Sequence, residues 1–75
     1  MASLRTPQGD LSLSEVAEGI KERTFSDTGQ YHLLNSLVHT SEEGRELARD
    51  VATYVLAHES DFSARIVERA RKIAS

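Results

Sequence analysis

The sequence predicts an all-α protein, a compact bundle of four short helices. Apolar residues recur at helical spacing in four segments, residues that can cap a helix precede each segment, and no segment alternates between apolar and polar residues as a half-buried strand does. The chain has 75 residues, which is enough for one small domain. We therefore expect one helical domain over residues 11–75, after a flexible arm over residues 1–10. The helices are expected over residues 12–23, 28–39, 41–58 and 61–74.

Capping residues place the start of the first two helices. Ser12 precedes Glu15 by three residues, the spacing of a capping box, and Asp27 precedes Gln30 by the same interval. Each helix then has a single apolar face, so each is expected to pack on one side. The apolar residues of these two faces are Leu13, Val16, Ala17 and Ile20 in the first helix and Tyr31, Leu33, Leu34, Leu37 and Val38 in the second.

The third predicted helix is apolar around more than half of its circumference. Thr40, three residues before Glu43, is expected to cap it, with Ser41 as the competing cap. A helix needs only a stripe of apolar residues to pack on one neighbour, so this wider arc predicts contacts on two sides. We expect the other helices on one flank and a second copy, or another protein, on the other. The arc consists of Leu47, Ala48, Val51, Ala52, Tyr54, Val55 and Leu56.

The fourth predicted helix is basic on its outer face. Ser60 or Asp61 is expected to cap it. Arg65, Arg69 and Lys72 align outward at spacings of four and three residues, although the whole chain has a net charge of −3. This face is either a solvated surface or a docking site for an acidic partner or a nucleic acid. The inward-facing residues are Phe62, Ile66, Val67, Ala70, Ile73 and Ala74.

The histidines are the side chains whose charge changes near neutral pH. His32 and His39 are seven residues apart on the polar face of the second helix, so their backbones lie about 10.5 Å apart, too far to share one metal ion easily. Both are expected to be exposed to solvent. For His58, at the end of the third helix, three alternatives stay open: a buried ring bonded to a carbonyl, an exposed ring where the helix frays, or a site residue.

The sequence argues against an enzyme. It contains no cysteine, which excludes thiolate catalysis and cysteine-ligated zinc sites, and no glycine-rich phosphate loop, HExxH pair or EF-hand pattern. The serines lie mainly at predicted caps and turns, where bonds to the backbone explain them. We therefore expect no catalytic residue, no cofactor and no metal site.

The function expected from these patterns is that of a non-catalytic protein-interaction module: a small regulator, adaptor or inhibitor acting through an apolar helical surface. Its partner is another protein or a second copy, with a homodimer expected. Tyr54 and Leu56 are the expected anchors because they lie at the two margins of the apolar arc, and Arg65, Arg69 and Lys72 are the expected charged contacts.

The alternative is a dimeric DNA-binding transcriptional regulator of helix-turn-helix type. SEVAEGIK would be its first helix and TGQYHLLNSLV its recognition helix. The second segment has no lysine or arginine to contact phosphates or guanine, and no wing strands follow it. Nucleic-acid binding is therefore disfavoured, and the basic fourth helix is the other route to it.

The sequence also predicts a soluble chain without a membrane segment. No apolar run approaches the roughly 20 residues that span a bilayer, and residues 1–10 have no apolar core of a signal peptide. Together with the absence of cysteine, these features favour a cytoplasmic location.

Overall fold

The computed structural model describes residues 3–6 and 9–75 of the chain. It confirms the predicted fold class, because four helices pack into a bundle and each begins and ends within three residues of its predicted bounds. Two short strands precede the helices. The elements in chain order are β1 (Ser3–Thr6), β2 (Gly9–Ser12), α1 (Leu13–Lys21), α2 (Asp27–Thr40), α3 (Glu42–Ala57), a short 3-10 helix (Glu59–Asp61) and α4 (Ala64–Ala74).

The strand pair was not predicted from the sequence. β1 and β2 are antiparallel, with Leu4 opposite Leu11, and both leucines pack against the helical core. Each strand has only four residues, too few to show a clear alternation. Gly9 has a φ of 106°, which side-chain-bearing residues rarely adopt. Of the flexible arm expected over residues 1–10, positions 1, 2, 7 and 8 lie outside the described residues, and the mobility of the rest stays a prediction.

The first helix begins with the predicted capping box. The Ser12 hydroxyl accepts a bond from the Glu15 amide at 3.2 Å, and the Glu15 carboxylate accepts one from the Ser12 amide at 3.1 Å. The helix ends where Arg23 adopts a left-handed φ of 58°, and the Thr24 amide then reaches back to the Gly19 carbonyl. This is a Schellman ending with arginine at the position that glycine usually occupies.

The caps of the other helices agree with the predicted positions only in part. Ser26, not Asp27, caps α2, and Gln30 donates to the Phe25 carbonyl and so forms no capping box. Ser41, which was expected to compete with Thr40, is the cap of α3. Thr40 donates to the Ser36 carbonyl within α2, which prevents its use as a cap.

The start of the last helix was predicted wrongly, because residues 59–61 form a separate 3-10 helix. Ser63 caps α4, in place of Ser60 or Asp61, and its hydroxyl also donates to the Asp27 carboxylate at the start of α2. Phe62 consequently lies before α4, not on its inner face.

The third helix is the centre of the bundle and packs against α1, α2 and α4. Ala48, Val51, Ala52 and Val55 are completely buried, whereas Leu47 and Leu56 are half-buried against the same core. Three helices of the same chain therefore cover most of the apolar arc, one flank of which was expected to contact a second copy or another protein. The homodimer stays a prediction, and it can no longer be inferred from the width of this arc.

The second and third helices approach each other closely at Gly44. A Cβ atom at this position would lie 2.5 Å from the carbonyl oxygen of Leu37, closer than the two atoms can approach. Gly44 is buried, and its amide donates to the capping hydroxyl of Ser41. The tight turn between α2 and α3 therefore depends on the absence of a side chain here.

Candidate interaction surfaces

The first candidate surface consists of three rings, Tyr54, His58 and Phe62, and is called the aromatic surface below. Tyr54 is 38 % exposed, and it is the exposed large hydrophobic side chain found among the described residues. The His58 ring stacks on it with centroids 4.3 Å apart and an angle of 27° between the planes. The Phe62 ring meets it edge-on at 6.3 Å and 86°. Offset-stacked and edge-to-face geometries are the favourable ones for aromatic pairs.

Local structure fixes these rings. Tyr54 and His58 are four residues apart, so they lie on the same side of α3. His58 is the residue that ends this helix, and its Nδ1 lies 2.9 Å from the Tyr54 carbonyl oxygen. The 3-10 helix then turns the chain back and brings Phe62 against the tyrosine. His58 is thus exposed, which excludes the buried ring, although it is bonded to a carbonyl; its role as a site residue stays a prediction.

A charged pair borders the aromatic surface. The Lys21 ammonium, at the end of α1, lies 6.0 Å from the centre of the Tyr54 ring. The same ammonium forms a salt bridge with the Asp50 carboxylate, one turn before Tyr54 on α3. A partner of this surface would therefore meet apolar rings with a neutralised ion pair at one edge.

Leu56, the second expected anchor, does not join this surface. Two residues along an α-helix correspond to a rotation of about 200°, so Leu56 and Tyr54 lie on opposite sides of α3. Leu56 is half-buried and packs against the core. A single flat partner surface cannot contact both side chains centrally, and a role for Leu56 in binding stays a prediction.

The second candidate surface contains the three cations that were expected from the sequence to contact a partner. Arg65, Arg69 and Lys72 line a cleft of about 150 Å³ with Tyr31 of α2 and Glu68. The three cations and Tyr31 are called the basic surface below. The Arg65 guanidinium lies 4.2 Å from the centre of the Tyr31 ring, a cation–π contact that holds this arginine in place.

Arg69 is the least exposed cation of the basic surface. Its side chain is only partly accessible, and its Nε is buried without a hydrogen-bond partner in the part of the chain that the structure describes. The sequence pattern had placed Tyr31 on the inner face of α2. The half-buried ring instead spans the margin between the core and the basic surface, a role that periodicity alone does not reveal.

A third surface was missed by the sequence analysis. Glu15, Glu18 and Glu22 follow one side of α1 and line an open groove of about 330 Å³; they are called the acidic surface. All three are exposed. Hydrogen bonds from the backbone amide and the side chain of Ser12 lower the pKa of Glu15, so this carboxylate stays charged in mildly acidic solution. The spacing of these glutamates, three and then four residues, could have predicted from the sequence that they share one side of the helix.

The remaining titratable groups show no comparable arrangement. His32 and His39 are exposed, as expected. Within residues 3–6 and 9–75, no group of three or more histidine, cysteine or acidic side chains is placed to hold a metal ion. In the same ranges, none of the helices has the combination of length and hydropathy needed to cross a bilayer.

Comparisons with known proteins add no further identification. No protein-family model, no curated protein and no solved structure matches the chain. The three surfaces are therefore interpreted from their own geometry and chemistry.

Proposed function

We propose that the protein is a non-catalytic interaction module, a small regulator, adaptor or inhibitor, that binds another protein through the aromatic surface. The observation that carries this proposal is the exposure of Tyr54 beside two further rings. Large amphipathic side chains such as tyrosine are frequent among the residues that dominate binding energy in protein interfaces.

The restricted orientation of the Tyr54 side chain is a second argument for binding through this surface. A side chain that is already held in one orientation loses less conformational entropy when a partner covers it. The stacked His58 ring and the edge of Phe62 limit the orientations of Tyr54, and all three rings belong to the last turn of α3 or to the turn that follows it. A partner with an apolar pocket rimmed by polar groups fits this surface, since the tyrosine hydroxyl needs a hydrogen-bond acceptor or donor when it is buried.

Photo-crosslinking tests the proposal directly. A photoreactive phenylalanine analogue is placed at position 54 and, in a matched variant, at position 53, where Thr53 is also exposed but lies about 100° away around the helix. Both variants are irradiated in lysate of the native host. We expect one protein to be crosslinked through position 54 and not through position 53.

The crosslinked protein is then purified and its affinity measured by calorimetry. Tyr54→Ser should weaken binding by about tenfold or more, as expected for a central aromatic anchor, whereas Thr53→Ala should leave it within about twofold. Thermal unfolding checks that both variants are folded. Equal affinities of the wild type and of a folded Tyr54→Ser variant would exclude the aromatic surface as the binding site.

A second candidate is the dimeric DNA-binding regulator, and one observation favours it. The basic surface holds three cations and an aromatic ring in one cleft, the residue types that contact a phosphate backbone. These cations lie on α4, however. The described α2 carries no lysine or arginine, so a helix-turn-helix protein with α2 as its recognition helix would lack phosphate contacts from that helix.

Duplex DNA at low salt tests this candidate. Binding through the basic surface should weaken steeply as salt is raised, and Arg65→Ala with Lys72→Ala should weaken it further. The matched variant is Arg45→Ala with Arg49→Ala, which removes the same charge from α3. Absent binding, or an equal loss in both double variants, would argue against DNA as the ligand of this cleft.

A further inference from the structure

The outer side of α1 has the shape and charge to receive a cationic helix. Its groove has Leu11, Gly19 and Phe25 among its lining residues, and the acidic surface follows it along the helix. Gly19 lets the Phe25 ring pack directly on α1 at this groove, because a Cβ there would lie 2.4 Å from the ring. The groove therefore combines partly apolar walls with a row of exposed carboxylates.

The basic surface of α4 has the complementary spacing. Glu15, Glu18 and Glu22 are separated by three and then four residues, which corresponds to about 4.5 Å and 6 Å along a helix axis. On α4 the separations are four and then three residues, so the order is reversed. If the two helices run antiparallel, Glu15 faces Lys72, Glu18 faces Arg69 and Glu22 faces Arg65 without any change in spacing.

The two surfaces cannot meet within one chain. α1 and α4 both pack against α2 and α3, and among the described residues they do not form a packed pair with each other. Their outer faces are therefore directed away from the core on separate helices. A contact between the acidic and basic surfaces requires a second molecule.

We propose that the acidic surface of one copy binds the basic surface of a second copy, with the two helices antiparallel. The distribution of charge in the whole chain agrees with this occupant. Residues 1–60 carry ten acids against five cations, whereas residues 61–75 carry four cations against two acids, so the two parts of the chain attract each other between copies.

The contact is head-to-tail, because the two surfaces are different. After the first contact, one copy keeps a free basic surface and the other keeps a free acidic surface, and association continues until a ring closes or a chain of copies forms. Exposed ion pairs are weak individually and are screened by salt. The assembly therefore forms at high protein concentration and low ionic strength.

Sedimentation velocity tests the contact, with protein concentrations from about 10 μM to about 1 mM. At about 20 mM salt, we expect the weight-average mass to rise with concentration beyond that of two chains, and at about 500 mM salt we expect single chains. Because this comparison needs no variant, it does not depend on the folding of any substitution. A single copy at the highest concentration and lowest salt would overturn the proposal.

Two charge-reversed variants locate the contact. Glu18→Lys with Glu22→Lys reverses the acidic surface, and Arg65→Glu with Lys72→Glu reverses the basic surface; all four side chains are exposed. Each variant alone should associate at least about tenfold more weakly than the wild type, because its two surfaces now repel. A mixture of the two variants should regain association, since every basic surface then finds an acidic one.

Matched reversals on α3 separate the contact from an effect of net charge. Glu43→Lys with Glu46→Lys and Arg45→Glu with Arg49→Glu make the same changes of charge at exposed positions outside both surfaces. They should keep the wild-type association. Equal loss in these controls, or a mixture of the contact variants that stays as single chains, would overturn the proposed contact even if the wild type associates.

Discussion

The third and fourth helices have different relations to solvent. α3 packs against all three other helices, and its four most central side chains are completely buried. α4 buries a narrow face with Ile66, Val67 and Ala70 and exposes cations on the opposite side. The wide apolar arc of α3 therefore corresponds to its three neighbours within the chain. The residues available to a partner lie at the margins of α3 and on the outer face of α4.

A helix at the centre of the bundle can still carry a candidate binding residue. Tyr54 belongs to the central helix of the bundle, yet it is exposed because it lies on the side of α3 that also exposes Asp50 and Ala57. A central helix can thus contribute an exposed side chain on the side that its neighbours leave uncovered.

The inner face of α4 should be much more sensitive to substitution than its outer face. Ile66 is completely buried, so Ile66→Ala should lower the free energy of unfolding by about 2–5 kcal/mol through lost burial and a cavity. Lys72→Ala, on the exposed face, should change it by less than about 0.5 kcal/mol. Urea denaturation measures both. Similar losses for the two variants would mean that α4 does not have two distinct faces.

The close approach of α2 to α3 should not tolerate a methyl group. Gly44→Ala places a Cβ against a backbone carbonyl, which cannot move aside without shifting a helix. We expect a loss of about 1–3 kcal/mol, the usual cost of overpacking, in spite of the better helix propensity of alanine. Urea denaturation of this variant measures the loss; an increase in stability would show that the two helices are farther apart at this position.

The cap of α4 distinguishes the observed start of the helix from the predicted one. Ser63→Ala removes the acceptor for the Ile66 amide and the bond to Asp27 of α2, so it should cost about 1 kcal/mol. Ser60→Ala, at one of the two residues expected from the sequence to cap this helix, should cost less than about 0.5 kcal/mol. Melting temperatures of the two variants give the comparison, and the reverse order would restore the predicted start of α4.

The smallest expected effect concerns pH and the acidic side of α1. Because hydrogen bonds from Ser12 lower the pKa of Glu15 in the folded protein, its contribution to stability is present above the ordinary pKa of glutamate and is lost as pH falls through the lowered value. Below about pH 4.3 the wild type should therefore lose stability more steeply than Glu15→Gln. Melting temperatures across this range measure the slopes, and equal slopes would contradict the role of the capping box.

Periodicity and capping were sufficient to predict the four helices, since both are local properties of the sequence. The residues that cap the helices were harder to predict than the helices themselves. Ser26, Ser41 and Ser63 each lie within three residues of another residue that can also cap. The choice depends on contacts such as the bond from Thr40 to Ser36 within α2 and the bond from Ser63 to Asp27. The strand pair was missed because each strand has four residues.

The candidate surfaces could be predicted only in part. Arg65, Arg69 and Lys72 are brought together as their spacing on one helix indicates. The partners of Tyr54 depend on the 3-10 helix that returns Phe62 to α3, and the proximity of Tyr31 to Arg65 depends on how α2 packs on α4. Those contacts join residues far apart in the sequence, so local patterns could not reveal them.

Dependence of the urea midpoint on protein concentration tests most directly whether a single chain covers α3. The measurement is made at about 2 μM and about 200 μM protein, in about 500 mM salt so that contacts between charged surfaces are screened. We expect the same midpoint at both concentrations and the mass of one chain by sedimentation. A midpoint that rises with concentration would show that the fold requires a second copy, and would contradict the conclusion that α3 is buried by its own chain.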